Sequence, residues 1–309
     1  RSNTYYHQLH DSVRGTSGGV LYSNTHDAES STYSLASFDS DGFTVMKDAN
    51  NDAQNDNGQN YVAWNWKANG SGGANTDGAT NSVVSANTTS GFSIVTYSGT
   101  GSATTIGHGL GVVPAWIVVK NRTNNAGNTD AWANYHHANT GEPATDALYW
   151  DTTYGTTDDA GTWNDTAPTS SVFTVNNWGG VNASGDTYVA YVFAEVEGFS
   201  KFGVYEANNS TNGPFIHTGF TPSWIIFKYI DGNGEWWWML DSTRDPINPT
   251  TEVLYINATS AESSIGGSGA IDILSNGFKI RATNGGINSA NTYVYMAFAE
   301  FPFKYANAR

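Results

Sequence analysis

An all-β fold of tandem antiparallel β-sandwich repeats, jelly-roll-like, is what this sequence predicts, on three observations. Its apolar runs are short, rich in β-branched and aromatic residues, and bounded by Gly, Asn and Pro. No window of helical length carries apolar residues at a 3.6-residue period. The chain also repeats itself: Tyr188-Val189-Ala190-Tyr191-Val192-Phe193-Ala194-Glu195 returns 105 residues later as Tyr293-Val294-Tyr295-Met296-Ala297-Phe298-Ala299-Glu300.

In chain order, residues 1–68 read as a partial first sandwich. Tyr61-Val62-Ala63-Trp64-Asn65-Trp66-Lys67-Ala68 matches the later Tyr-Val run, and Ser40-Asp41-Gly42-Phe43-Thr44-Val45 matches Ser275-Asn276-Gly277-Phe278-Lys279-Ile280. No Gly-Phe-Ser opening and no Pro-x-Trp-Ile strand lies upstream of Tyr5, so half of this unit is missing. The simpler reading is a polypeptide that continues N-terminally; the other is a second subunit that supplies the missing strands. Tyr61 precedes Tyr188 by 127 residues, 22 more than the later period, and the surplus falls in 69–90. Its Gly/Ser/Asn-rich stretch, Asn69 to Asn81, reads as a flexible linker.

Residues 91–198 are the second sandwich and 199–309 the third, with a C-terminal tail. Gly91-Phe92-Ser93 and Gly198-Phe199-Ser200 open them. Pro114-Ala115-Trp116-Ile117-Val118-Val119-Lys120 returns 108 residues later as Pro222-Ser223-Trp224-Ile225-Ile226-Phe227-Lys228, and Phe173 returns 105 later as Phe278. Trp116, Trp224, Phe173, Phe278, Tyr188 and Tyr293 recur at matched positions and are read as repeat core. The Trp-Ile runs follow a Pro and are apolar on both faces, as central strands covered on both sides must be. Asp41-Gly42, Asn57-Gly58, Asn276-Gly277 and Gly285-Gly286 supply the turns. A β-propeller is disfavoured, since its blades run about 40–50 residues. Because Glu195 lies so close to Gly198, the second and third sandwiches are expected as a stiff tandem pair. The tail Phe301-Pro302-Phe303-Lys304-Tyr305 reads as a leftover strand closing the third unit.

Composition narrows the function. Of 309 residues, 13 are Lys or Arg and 28 are Asp or Glu, a net charge of −15, which opposes binding to nucleic-acid phosphates. Charged residues are 13% of the chain, about half of the ~25% usual in soluble proteins. Aromatics are 14%, enough for a substantial core. There is no Cys and therefore no disulfide or thiolate metal site. No run of about 18 apolar residues predicts membrane insertion, and no signal-peptide pattern is visible. The chain lacks HExxH, GxSxG, GxxxxGK[ST] and GxGxxG.

Few residues suggest chemistry. Asp11-Ser12-Val13-Arg14 recurs as Asp241-Ser242-Thr243-Arg244. A catalytic Asp held by Arg is one reading, but repetition favours structural ion pairs that close a loop. His136-His137, beside Tyr135 and Glu142, could share a metal only on an irregular loop, because neighbouring strand residues face opposite ways. Asp48 to Gly58 is rich in oxygen ligands and resembles a Ca²⁺ loop in composition, yet lacks the spaced pattern and terminal Glu. The expectation is no cofactor, with Ca²⁺ the one candidate. Trp236-Trp237-Trp238 must send rings to both faces of a strand. These rings are read as contacts to a neighbouring unit or subunit, or as a platform for a sugar. The sequons Asn121-Arg122-Thr123 and Asn257-Ala258-Thr259 are expected by chance.

At GLGVVPAWIVVKNR (Gly109 to Arg122), FTVNNWGGVNASGDTYVAYVFAEVEGFSKFGVY (Phe173 to Tyr205) and LSNGFKIRATNGGINSANTYVYMAFAEFPF (Leu274 to Phe303), the sequence resembles a tandem repeat family of tailed phages, especially marine ones, found in tail-fibre and virion structural proteins. The likeness runs from about Asp11 to Phe303 and departs at Asn69–Asn81. It implies a place and a role, a virion component outside the cell, and brings no catalytic residues. Together these readings predict a non-enzymatic virion structural protein: a tail fibre, spike or capsid-surface decoration. It would act as a rigid homo-oligomer, a trimer by analogy, contacting other virion proteins and a host-surface glycan or protein. A cellular surface adhesin or filament subunit is the alternative. A glycan-degrading tailspike comes third, and predicts paired carboxylates about 5–9.5 Å apart.

Overall fold

A computed structural model describes residues 4–31, 35–46, 54–123, 131–266 and 269–300. The N-terminal unit contributes two small hairpin-like pairs, β1 (Gln8–Leu9) with β2 (Leu21–Tyr22) and β3 (Leu35–Phe38) with β4 (Phe43–Val45). The second holds β5 (Gly73–Asn75), β6 (Ser82–Asn87), β7 (Phe92–Ser98), β8 (Thr104–Gly107), β9 (Trp116–Asn121), β10 (Ala133–His136), β11 (Asp146–Tyr149), β12 (Thr157–Asp158), β13 (Val172–Val175) and β14 (Thr187–Phe193). The third holds β15 (Ser200–Glu206), β16 (Phe215–His217), β17 (Trp224–Tyr229), β18 (Trp238–Asp241), β19 (Glu252–Tyr255), β20 (Ser263–Ser264), β21 (Ile271–Leu274), β22 (Gly277–Ile280) and β23 (Thr292–Phe298). Three single-turn α-helices, α1 (Ala160–Trp163), α2 (Gly179–Asn182) and α3 (Gly285–Asn288), and a 3-10 turn at Thr16–Gly18 complete the described residues. The fold is all-β and antiparallel, as the alternation and turn signals predict.

The repeat is visible strand by strand. One large sheet runs β12-β11-β10-β9-β14-β7-β6-β5, the other β20-β19-β18-β17-β23-β15, so six strands follow in the same spatial order. Registers agree as well: Phe193 lies opposite Trp116 and Phe298 opposite Trp224. A smaller sheet, β13-β8 or β16-β22-β21, covers the outer face of each. Between them lie separate cores: Tyr97, Ile117, Phe173 and Tyr188 in the second unit, Tyr205, Phe227, Phe278 and Tyr293 in the third. The Gly-Phe-Ser landmark is one residue out of step. Phe92 lies opposite Phe193, whereas Ser200 lies opposite Phe298, and the matched pairs are Tyr97–Tyr188 and Tyr205–Tyr293.

Two expectations change. The stretch 69–90 is not merely linker, because β5 and β6 lie in it. β6 adds its β-branched Val83 and Val84 to the edge of β7, and β5 pairs on β6. The surplus residues thus extend a sheet edge that the third unit leaves at β15. The two sandwiches are also not strung end to end. Ile94, Trp116, Val118, Val189 and Phe193 of one large sheet enter the same core as Phe202, Trp224, Ile226, Met296 and Phe298 of the other. Strands apolar on both faces need two covers. The small sheet supplies one, and the neighbouring unit the second.

The N-terminal unit completes this shared core. Trp66, Phe193 and Phe298, which occupy the same position of the three Tyr-Val runs, meet as a triangle with centroid separations of 6.2, 5.6 and 5.7 Å and interplanar angles of 79°, 74° and 65°. Hydrogen bonds circulate in one sense around it. Trp132 Nε1 of the second unit donates to Tyr22 O of the first (3.0 Å), and Trp237 Nε1 of the third donates to Tyr149 O of the second (2.9 Å). Ser23 Oγ of the first closes the cycle at Ile256 O of the third (2.8 Å). The three units are therefore arranged about a pseudo-threefold axis within one chain.

Candidate functional site

Charged corners come first, because the sequence repeats them. Asp11 Oδ1 accepts from the backbone N–H groups of Val13 (3.1 Å) and Arg14 (2.9 Å), an Asx turn that fixes the loop after β1. Its Oδ2 accepts from Arg14 Nε at 2.5 Å. Asp241 does the same with Thr243 (3.1 Å), Arg244 N (2.9 Å) and Arg244 Nε (2.5 Å). Each Arg then reaches a second carboxylate that sequence reasoning missed: Arg14 pairs with Glu29 at 2.6 Å, and Arg244 pairs with Glu262. The signal existed in the matching Ala28-Glu29-Ser30 and Ala261-Glu262-Ser263, downstream of each Leu-Tyr pair. Burial opposes the charge of Arg14, but Tyr191, Asp11 and Glu29 outweigh it and hold the guanidinium pKa above its usual value. Tyr191 Oη donates to Asp11 Oδ2 (2.8 Å), and Arg122 Nε donates to Glu29 (2.7 Å). Every partner here secures a loop of one unit or ties it to the next.

In the second unit His136 stands opposite Trp116, the place that Asp241 takes opposite Trp224. Its Nδ1 accepts from Ala138 N–H (3.2 Å), and its Nε2 donates to Tyr295 O of the third unit (3.2 Å). His137 Nε2 donates to Phe202 O (3.0 Å). Both rings thus spend their outer nitrogens on carbonyls. Burial first, and the neighbouring His137 second, push the pKa of His136 down to about 3, so it is neutral. Among the described residues no group of three His, Asp or Glu side chains is placed to hold a metal ion. Of the oxygen-rich Asp48–Gly58 stretch, residues 48–53 lie outside the described residues. So does the tail Phe301–Tyr305.

The tryptophan triplet divides. Trp237 is fully buried in the shared core and Trp238 is buried in the core of the third unit, which corrects the reading of either as a surface platform. Only Trp236 is exposed, at 41%, with its ring 4.5 Å from that of Tyr255. Alternation sends Trp237 and Trp238 to opposite covered faces, while Trp236 precedes β18 and escapes the cover. Trp237 also repeats: its N–H donates to Asn257 Oδ1 as that of Trp132 donates to Asp151 Oδ1, each at 3.0 Å. The sequons are built in rather than presented. Asn121 is buried and donates to Asp186 (2.8 Å), while Asn257 Nδ2 donates to Thr152 O (2.8 Å).

The predicted core residues hold. Trp116, Phe173, Tyr188, Phe278 and Tyr293 are at most 1% exposed, and Trp224 is 7% exposed. Tyr97 stacks on Tyr188 at 5.1 Å and 13°, and Tyr205 on Tyr293 at 5.2 Å and 10°. Tyr97 and Tyr205 each donate, at 2.7 Å, to a carbonyl of the adjoining Gly-Gly-x-Asn turn, Val181 O or Ile287 O. Where the three units converge, a cavity of about 460 Å³ opens beside the N-terminal unit. Phe193 and Trp224 form part of its floor, and Tyr6, Phe38, Phe43 and Tyr61 part of its rim. His10 also lines it; burial first and Arg14 second lower its pKa to about 4.

A family model described as a domain of unknown function, DUF7483, matches residues 1–302. The chain belongs to this DUF7483 family. No curated protein and no solved structure matches it. The DUF7483 match runs through all three units, so the family is defined over the pseudo-threefold assembly and not over a single repeat. What the DUF7483 chain sets at its unit boundaries is the ion-paired corner, the indole-to-carbonyl bond and the aromatic triangle, all of them holding contacts.

Proposed function

We propose that this protein is a non-enzymatic structural component of a phage virion, a fibre, spike or surface decoration that also contacts the host surface. One observation supports the non-catalytic part most directly. The charged motif that the chain repeats, Asp11/Arg14 and Asp241/Arg244, has its carboxylate and guanidinium groups engaged by buried loops and by Glu29 and Glu262. A catalytic acid or base needs a proton-transfer partner within reach of substrate; Asp11 lines the cavity, but its two oxygens are taken by Val13 N–H, Arg14 and Tyr191. The virion assignment rests on the repeat resemblance and on an acidic, Cys-free, aromatic-rich composition. A wide, locked scaffold suits display of loop tips, and several copies on one particle would turn weak contacts into avidity.

Two assays test this. On a glycan array, particles multiply displaying the protein should bind a surface polysaccharide, while a depolymerase assay on that polysaccharide releases no fragments. Turnover would overturn the non-enzymatic reading. Immunogold labelling of intact particles tests the location, and labelled particles are the expected result.

A further inference from the structure

A lysine reaches across two of the unit boundaries in the same way. Lys120 Nζ of the second unit donates to His26 O of the first (2.8 Å), and Lys228 Nζ of the third donates to Thr153 O of the second (3.3 Å). With Trp132 matched to Trp237 and Tyr22 to Tyr149, the residues beside these contacts also correspond. Ala131 and Asp27 stand at the first boundary where Trp236 and Tyr154 stand at the second. The first boundary thus closes with no aromatic ring at either place. Trp236 and Tyr154 are therefore not what holds the second one together, and they are 41% and 54% exposed. Two large rings kept in water at one boundary, with no part in closing it, point to a ligand.

Their loops are fastened to each other. Thr156 N–H donates to Ile230 O (2.9 Å), Gly155 N–H to Asn233 Oδ1 (3.0 Å) and Gly234 N–H to Thr153 O (3.0 Å). Gly155 packs so closely that a Cβ there would lie 2.5 Å from Gly232 O. Tyr154 and Trp236 thus project from one fixed ridge, and the Tyr255 ring steadies Trp236. Polar groups with unused capacity share this ridge. Asn233 gives its Oδ1 to Gly155 and keeps an exposed amide NH₂ that no described residue engages. Glu235 is half-buried, yet its carboxylate accepts no hydrogen bond from a described residue.

We propose that Trp236, Tyr154, Glu235 and Asn233 form a binding site for a neutral pyranose unit of a surface glycan. A pyranose offers an apolar C–H face and a rim of hydroxyls. The indole and phenol rings take the face. The Glu235 carboxylate accepts from hydroxyls, and the Asn233 amide donates to them. That carboxylate and the net charge of −15 oppose sialic and uronic acids. A protein partner calls for an interface centre poor in charge, and here a carboxylate adjoins the rings. The inference rests on the host-surface part of the proposed function and gives that contact a location.

Beads bearing the full chain, read on an array of neutral and acidic glycans, test the site. The parent should bind neutral glycans, and titration calorimetry with the best-bound oligosaccharide then gives its affinity. Trp236→Ala and Tyr154→Ala should each weaken that affinity at least tenfold, while Trp236→Tyr, which keeps a ring face, should weaken it less. Asp27→Ala, at the matching place of the first boundary, should bind as the parent does. Melting temperatures should stay at the parent value, since these side chains lie outside the cores. Should Trp236→Ala melt lower, Tyr154→Ala, a change at an exposed loop residue, carries the test. Unchanged binding by Tyr154→Ala or by a stably folded Trp236→Ala, or a parent that binds acidic glycans alone, would overturn the site and leave the adhesive reading standing. A parent that binds no glycan would overturn both together.

Discussion

At the scale of single residues, burial decides what the polar groups do. Asp241 keeps its side chain 2% exposed, and Arg244 is its charge partner. Removing the cation alone leaves a buried carboxylate uncompensated, so Arg244→Met should cost about 3–5 kcal/mol. The double variant Arg244→Met/Asp241→Leu should cost less than Arg244→Met by itself, and urea denaturation of the set measures both. His136 gives a pH signature. Its folded pKa of about 3 lies below the unfolded value near 6.5, so the unfolded chain takes up the proton first. The stability it contributes is complete above about pH 6.5 and is lost as the pH falls toward 3, at up to about 1.4 kcal/mol per pH unit. Urea midpoints between pH 7 and pH 4 should fall in the parent and fall less steeply in His136→Gln; parallel slopes would contradict the assignment. The Asp/Arg pairing was legible in the sequence because its partners lie three residues apart. Glu29 and Glu262 left a trace in the matching Ala-Glu-Ser, but the charge they meet was not legible, because they reach Arg only once a hairpin folds back.

At the scale of elements, the repeated unit is a sheet edge stapled by a turn. Gly179-Gly180-Val181-Asn182 and Gly285-Gly286-Ile287-Asn288 form matching single turns. Asn182 Nδ2 donates to Ser102 O (2.7 Å) and Asn288 Nδ2 to Ser210 O (2.8 Å). Tyr97→Phe and Tyr205→Phe each delete one buried hydrogen bond to these turns and should cost about 1 kcal/mol, equally in both units. Gly286→Ala should cost more, because a Cβ would sit 1.9 Å from Trp238 Nε1. Thermal melts of the three variants check the ranking. Strands β9 and β17 were readable from their apolar runs. β6 was not, since its Ser82-Val83-Val84-Ser85 is too polar to stand out from a Gly/Ser-rich stretch until the open edge of β7 is there to receive it.

At the scale of the whole molecule, one core couples three units. Phe193 touches Trp66 of the first unit and Phe298 and Phe202 of the third, and so faces both neighbouring units at once. Phe193→Ala should cost about 3–5 kcal/mol through lost burial and the cavity left behind. Calorimetry should show a single transition in the parent and a single, lower one in the variant. Two resolved transitions would mean that the sandwiches are independent after all. Residues 199–300 expressed alone would present Phe202, Trp224, Ile226 and Phe298 to water, and are expected to aggregate rather than remain monomeric in sedimentation.

The amino-acid sequence by itself determined the strand character, the repeat, the matched core positions and the paired Asp and Arg. Each of these is written in local periodicity or in spacing along the chain. Only the tertiary structure decided that the units close about a threefold axis, that Trp237 and Trp238 turn inward, and that Trp66, Phe193 and Phe298 meet. Apolar alternation says that a face must be covered, but it carries no address for the surface that covers it.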